Sequence, residues 1–216
     1  MEALENVYAG WRKKPMRYIA DTVDFELEEP TVVTLGKFDG RHRGHQKLLH
    51  TMEEVKESLG YATAIFTFST APLTLVTGET ATVITTSEER RHNMEKMGID
   101  YLVEYPFTDD VRKMDPAVFV KDILVKRMKA KAVVVGPDCS FGYKGAGNVG
   151  LLRTLSRELD FRLYVIEKEK DHRRDISSTY IREELSRGNV AKANELLGEP
   201  YAIHGIVVHG NHIGGP

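Results

Sequence analysis

Cysteine is nearly absent from this chain. One residue, Cys139, stands among 216, so no internal disulfide can form, which fits a reducing cytoplasm. There is no basic block either. The formal net charge is -2, and non-specific binding to nucleic acid is therefore disfavoured. The N-terminus, Met1-Glu2-Ala3-Leu4-Glu5, lacks the basic region and apolar stretch of a signal peptide. No apolar run approaches the length of a membrane span, and no repeat or low-complexity tract is present. The expectation is a cytoplasmic protein with no membrane and no nucleic-acid partner. Apolar residues at 41% supply the core of one α/β domain, or of one domain with a short appendage.

Five short runs rich in β-branched residues recur: Thr31–Leu35, Ala62–Phe68, Tyr101–Tyr105, 132–135 and 161–166. Their near-continuous apolar character predicts strands buried on both faces of a parallel sheet. Helical patterns fill the gaps. Residues 45–58 end at Gly60, and a helix opening at Ser87, capped by Thr86 or Ser87, ends at Gly98. Pro116 after an Asp115 cap opens another, with Val118, Phe119, Ile123 and Leu124 at helical spacing. Residues 148–159 turn Leu151, Leu152 and Leu155 inward. After Ser177 a helix runs to Gly188; Asn189 caps a second over 190–197, ended by Gly198; residues 201–210 then alternate like a strand. Strand and helix alternate, which predicts right-handed crossovers and an α/β fold with a Rossmann-like doubly wound parallel sheet. Loops 69–85 and 136–150 are long and leave the same sheet edge, as functional loops do.

The segment Gly36-Lys37-Phe38-Asp39-Gly40-Arg41-His42-Arg43-Gly44-His45 joins the first of these strands to a helix. In an open parallel sheet that junction lies at the carboxyl edge, where ligands bind. Gly44 is expected to let a phosphate approach the backbone. The helix start offers unpaired N–H groups, and His42 and His45, neutral or protonated, add directed donors. The pattern suits a polyphosphate and the charge that develops when it is split. It is neither a Walker A loop nor a Gly-x-Gly-x-x-Gly fingerprint. No cysteine or carboxylate cluster completes a metal site with the two histidines.

Two further blocks stand out. In Gly136-Pro137-Asp138-Cys139-Ser140-Phe141-Gly142-Tyr143, aromatic rings among glycines suit a planar ligand, with Asp138 and Ser140 able to read its polar edge. Cys139 reads as a packing residue. In Ile176-Ser177-Ser178-Thr179-Tyr180-Ile181-Arg182, an ordinary N-capped helix and a second phosphate-facing helix start are both open readings. The charged run 167–175 reads as a solvated loop, and His204, His209 and His212 as a surface strand.

Together these blocks resemble the prokaryotic FAD synthetases, and most closely the FMN adenylyltransferase module of the bifunctional riboflavin kinase/FAD synthetases. The carriers are Gly-x-Phe-Asp-Gly-x-His-x-Gly-His-Gln, Val-Val-Gly-x-Asp-x-x-Phe-Gly, Ile-Ser-Ser-Thr-x-Ile-Arg and Leu-Leu-Gly-x-Pro-Tyr, in order from Thr31 to about Val208. The resemblance implies a nucleotidyltransferase-type sheet over residues 15–187, with a C-terminal helix and strand, 188–216, left from a riboflavin kinase-like extension. It implies that ATP and FMN give FAD and pyrophosphate, with Mg²⁺ accompanying ATP. His42, His45 and Arg182 then take the catalytic positions. Gly36, Phe38, Asp39, Gly44, Ser177, Ser178 and Thr179 fall at the ATP site, and Asp138, Ser140, Phe141 and Gly142 in the flavin/nucleotide loop. Three departures are visible. Ser69-Thr70-Ala71-Pro72 stands where the family often has Asp-Pro-His-Pro. Arg41 and Arg43 replace residues that are commonly apolar. The roughly 16 residues after Pro200 are too few for a closed barrel, so no riboflavin kinase activity is expected. The alternatives are a related small-molecule nucleotidyltransferase and a flavin- or nucleotide-binding module without turnover.

Overall fold

The structure, a computed structural model, describes residues 15–69 and 82–206. Six parallel strands form one sheet in the order β1 (Arg17–Ala20), β4 (Tyr101–Tyr105), β3 (Ala62–Phe68), β2 (Thr31–Leu35), β5 (Ala130–Val135) and β6 (Arg162–Val165). Three strands stand on the residues expected of them. β5 starts two residues early, at Ala130, and β6 is shorter than its apolar run. β1 escaped the sequence reading because it is an edge strand with exposed and half-buried residues, so no apolar run marks it.

The chain leaves β2 for β3 and β4 on one side, then returns past β2 to lay down β5 and β6 on the other. The reversal falls between β2 and β5, where Val32, Val33 and Thr34 pair with Ala132, Val133 and Val134. Open α/β sheets bind ligands in the crevice beyond such a point. Strand residues alternate between faces. Val33, Phe66, Val103 and Val133 join one apolar cluster; Val32, Ile65, Leu102 and Val134 join another. α1 (Arg43–Leu59) and α2 (Ser87–Lys96) cover the second face through Leu49, Met52 and Met94. A Thr86–Glu89 capping box opens α2, and Gly60 at φ 69° closes α1.

A short α3 (Asp109–Arg112) precedes α4 (Pro116–Val118), which Asp115 caps through the N–H groups of Ala117 and Val118. From Phe119 to Arg127 the helix widens into π-helical turns. Phe119, Val120, Ile123 and Leu124 are buried along it, while Val118, which precedes these turns and was expected with them at helical spacing, is 42% exposed. α5 (Val149–Glu158) buries Leu152 and Leu155.

Beyond β6, Lys170–Asp171 (β7) and Arg174–Asp175 (β8) form a small hairpin inside the run expected to be a loop. α6 (Ser178–Ser186) and α7 (Val190–Leu197) pack through Ile181, Ala193, Leu196 and Leu197, joined by Ile84 from the segment before α2. Asn189 does not cap α7 with its side chain; its amide donates to Glu184 Oε2 at 2.8 Å, serving a buried carboxylate. Residues 201–206 form no strand, because no strand among the described residues offers them a ladder, and 207–210 lie outside the described residues. Thr70, Ala71, Pro72, His209 and His212 also lie outside them. Among the described residues, no helix is long and apolar enough to cross a membrane.

Candidate active site

The carboxyl ends of β2 and β5 open into a cleft of about 1080 Å³. The turn after β2 supplies its floor. Gly36 extends the ladder by donating to Phe66 O at 3.1 Å. A Cβ on Gly36 would stand 3.0 Å from the Phe38 ring, so the glycine makes room for that ring. Phe38 itself is buried, at φ 50°, and its ring centroid lies 4.8 Å from that of His45. It therefore supports the histidine rather than presenting a face to solvent.

His42 is the N-cap of α1. Its Nδ1 accepts the N–H of His45 at 3.3 Å, so the ring proton sits on Nε2. His45 makes the opposite choice. Its Nδ1 lies 2.9 Å from Gly40 O, which can only accept, so Nδ1 carries the proton and Nε2 is a lone pair. The rings stack with centroids 3.6 Å apart and 21° between planes. Burial pulls His42 down to about 3, with the neighbouring His45 adding to it. Burial also pulls His45 down to about 4, against the opposing pull of the Gly40 carbonyl and Asp39. Both imidazoles are neutral at pH 7. Gly44 lines the cleft and has a further role beside the one expected. A Cβ there would lie 3.2 Å from Cε1 and Nδ1 of His42, so the glycine admits the His42 ring over the first turn of α1.

Asp39 lies at the centre of the polar network. Its carboxylate accepts from Ile84 N at 2.8 Å, Thr85 N at 3.1 Å and Arg182 Nη1 at 2.7 Å. Ser178 Oγ donates to the Asp39 carbonyl at 2.6 Å. The start of α6 is thus tied to the histidine turn. Ser177 caps α6 by accepting Tyr180 N, and Thr179 Oγ1 accepts Arg182 Nη2 at 3.2 Å. Of the three hydroxyls expected to donate outward, Ser178 has spent its hydrogen on the turn. Those of Ser177 and Thr179, each accepting here, keep theirs.

From the loop after β5 the cleft takes Gly136, Asp138 and Cys139. Asp138 pairs with Lys168 at 2.9 Å, and Lys168 also reaches Asp175 at 3.1 Å. The expected aromatic ledge turns elsewhere. Phe141 bridges back to Gly147 and buries its ring in the core, 5.6 Å from Phe119. A Cβ on Gly147 would collide with that ring at 2.4 Å, and one on Gly142, at φ 71°, with Pro116 at 2.7 Å. These glycines serve packing, and neither Ser140, Phe141 nor Gly142 is among the cleft's lining residues. Burial pushes the Cys139 thiol up to about 11, which suits the packing role read from sequence. Lys37, Arg90 and Lys168 line the cleft but were not picked out in the sequence. Lys37 lay unremarked inside the histidine turn and Lys168 inside the charged run 167–175, while Arg90 carried no signal.

Three comparisons bear on this geometry. A family model described as FAD synthetase matches residues 24–180. A protein described as bifunctional riboflavin kinase/FMN adenylyltransferase, from Buchnera aphidicola subsp. Acyrthosiphon pisum (strain APS), is 33% identical over 190 residues, or 88% of this chain and 61% of that protein. The chain thus spans about 61% of that relative's length. A crystal structure titled macrolide-efflux protein, from Streptococcus pneumoniae, superposes with a TM-score of 0.72 at 26% identity, covering 85% of this chain and 70% of that one. A pantoate-beta-alanine ligase from Francisella tularensis shares the fold at a TM-score of 0.50 and 13% identity, covering 79% of this chain and 70% of that one.

Proposed function

Because this chain belongs to the FAD synthetase family, we propose that it transfers the adenylyl group of ATP to FMN, giving FAD and pyrophosphate. The observation that carries the reading is the meeting of two neutral, stacked imidazoles with the first turns of α1 and α6 at the sheet's switch point. The Nε2–H of His42 and the N–H groups of the two helix starts concentrate donors where a triphosphate would lie, while the ring N–H of His45 is taken by Gly40 O.

The step is a direct displacement at phosphorus. A phosphate oxygen of FMN forms a bond to the α-phosphorus of ATP as the bond from that phosphorus to the bridging oxygen breaks. Pyrophosphate leaves with the electron pair. The FMN phosphate reacts as its dianion, so no proton need be removed from the nucleophile, and no side chain is required as a base. Catalysis reduces to positioning and charge stabilisation. His42 donates through Nε2–H to the triphosphate. Arg182 spends two of its five N–H donors on Asp39 and Thr179 and keeps three for the leaving phosphates. The N–H groups at the starts of α1 and α6, with Ser177 and Thr179, hold the same anion. Gly36, Phe38, Asp39, Gly44 and Ser178 shape and tie this machinery. Among the described residues, no three His, Cys, Asp or Glu side chains converge to hold a metal ion. Magnesium, which neutralises phosphate oxygens when bound, would therefore enter with ATP. Use of cellular ATP and the single, half-buried thiol fit a cytoplasmic setting.

The test is pyrophosphate release by the purified chain with ATP, Mg²⁺ and FMN, with FAD identified by mass. Riboflavin in place of FMN is the control. His42→Ala should lower turnover by at least about a hundredfold, the size of effect expected for removing one donor to developing charge. Near-normal FAD formation by that variant would defeat the assignment.

A further inference from the structure

The charges lining the cleft are divided by the elements that carry them. Beyond β5 and β6 and along α6, three of the lining acids are paired with bases, while Glu167 forms no ion pair among the described residues. Asp138 takes Lys168 at 2.9 Å, Glu169 takes Lys47 at 2.8 Å, and Glu183 takes Arg174 at 2.7 Å. The residues after β2 and in the first turn of α2 bring Lys37 and Arg90, with the Ser87 and Thr85 hydroxyls beside them. The nearby Asp39 carboxylate is already occupied by Arg182.

Arg90 is held in place from behind. Its Nη2 pairs with Glu104 at the carboxyl end of β4, and the two side chains are only 13% and 6% exposed. Glu104 is fixed in turn by the Tyr18 hydroxyl, which donates to it at 2.6 Å. Burying such a pair costs desolvation energy, and here it presents a guanidinium at a cleft. Arg90 Nη1 lies 3.5 Å from Lys37 O, so the two cationic residues are neighbours. Arg90 Nε is buried with no hydrogen-bond partner. A buried donor without an acceptor is costly. The Lys37 ammonium is exposed and forms no ion pair among the described residues.

We propose that Lys37 and Arg90, with the Ser87 hydroxyl, form the subsite for the dianionic phosphomonoester of the acceptor. The inference rests on the adenylyl-transfer reading and adds to it the origin of specificity. The subsite selects a phosphorylated acceptor over its free alcohol, because only the phosphate brings acceptors for these donors. The guanidinium fork, fixed by Glu104, orients the phosphate, while the lysine contributes a mobile point charge. Lysine and arginine then act on acceptor affinity and leave the triphosphate contacts untouched.

Flavin fluorescence quenching tests this without turnover. The wild-type chain should bind FMN about tenfold more tightly than riboflavin. Lys37→Gln should lose most of that preference, with riboflavin and ATP affinities unchanged. Arg90→Ala would leave Glu104 buried without a partner and risks unfolding. The paired variant Arg90→Gln/Glu104→Gln removes both charges and keeps a hydrogen bond between the two side chains. It should likewise lose the preference, and in turnover it should raise KM for FMN by at least tenfold with KM for ATP unchanged. Wild-type preference in both variants would overturn the subsite. If the wild-type chain makes FAD while both variants keep its preference, the subsite falls and the adenylyl-transfer reading stands. If it binds neither flavin and releases no pyrophosphate with FMN, both fall together.

Discussion

Arg182 Nη1 lies 2.7 Å from Asp39 Oδ2, and that contact, beside the Ser178 bond to the Asp39 carbonyl, joins the two ends of the site. Asp39 belongs to the histidine turn, while Arg182 stands one turn into α6, 143 residues later. The same carboxylate holds the N–H groups of Ile84 and Thr85, which lead into α2. Three chain segments distant in sequence therefore share one acidic group.

Arg182→Lys tests whether the fork matters. A lysine cannot keep Asp39, Thr179 and a phosphate in one plane. Turnover should fall by about ten- to a hundredfold with the charge retained, while the melting temperature moves little. An equal loss of stability and activity would reduce Arg182 to a structural tie. Asp39→Ala should behave differently. It strands two backbone N–H groups and a guanidinium, at a cost of about 2–4 kcal/mol, visible in chemical denaturation.

The imidazole pair predicts a proton linkage. Free His45 presents the Nε2 lone pair, which repels a phosphate oxygen. Its value of about 4 lies far below neutrality, and the negative charge of a triphosphate held against that nitrogen would raise it and favour a proton there. Nucleotide binding at pH 7 should take up a proton, measured by calorimetry in buffers of different ionisation enthalpy. Affinity should weaken as pH rises. Stability responds with the opposite sign. Both rings titrate near 6.5 when unfolded and at about 3 and 4 when folded, so the unfolded chain binds the extra protons. The stabilisation is complete above pH 6.5 and is lost as pH falls through about 4 toward about 3. Thermal melts should show that slope, and His42→Gln/His45→Gln should flatten it.

Gly44→Ala separates activity from stability. The new Cβ would stand 3.2 Å from the His42 ring, which must shift by a few tenths of an ångström. Alanine meanwhile gains helix propensity, up to about 1 kcal/mol. Turnover should fall about tenfold with an unchanged or slightly higher melting temperature. A variant as active as the wild type would show that the position of the His42 ring is not critical.

The local parts of this picture could be read in the sequence. The strand–turn–helix at His42 and His45, the Asp115 cap and the strands β2, β3 and β4 follow from neighbouring residues, so a window of a dozen positions contains their cause. What escaped depends on distance along the chain. Nothing near Arg90 announces Glu104 or Lys37 as partners. Nothing near Phe141 says that its ring fills the space over Gly147 instead of facing a ligand. Glycine-rich sequence permits both outcomes, and packing against Phe119 decides between them. The π-helical turns after Val118 were likewise invisible to a count made at the α-helical period.

Phe141→Ala tests the core role of that ring. Emptying a buried phenylalanine costs about 3–5 kcal/mol. For a domain of this size, that is a fall in melting temperature of about 6–20 °C. KM for FMN should change by less than twofold in the fraction that remains folded. A stable variant with a large rise in KM would return Phe141 to the flavin.

Gln46 gives the last test. Its amide nitrogen donates to Arg41 O at 2.9 Å, inside the histidine turn, and to Leu197 O at 2.7 Å, at the end of α7. Arg41 and Glu199 pair beside it. One side chain therefore couples α7 to the turn that carries His42. Gln46→Ala removes two hydrogen bonds, worth about 1 kcal/mol each. Gln46→Glu, closer in shape, should be worse, because a carboxylate would face two carbonyl oxygens with no hydrogen to give. Amide exchange over residues 190–197 should quicken in both variants, and more in Gln46→Glu. KM for ATP should rise in parallel if α7 steadies the histidine turn. Should exchange quicken while KM for ATP stays constant, α7 would be a structural neighbour of the site with no hold on its geometry.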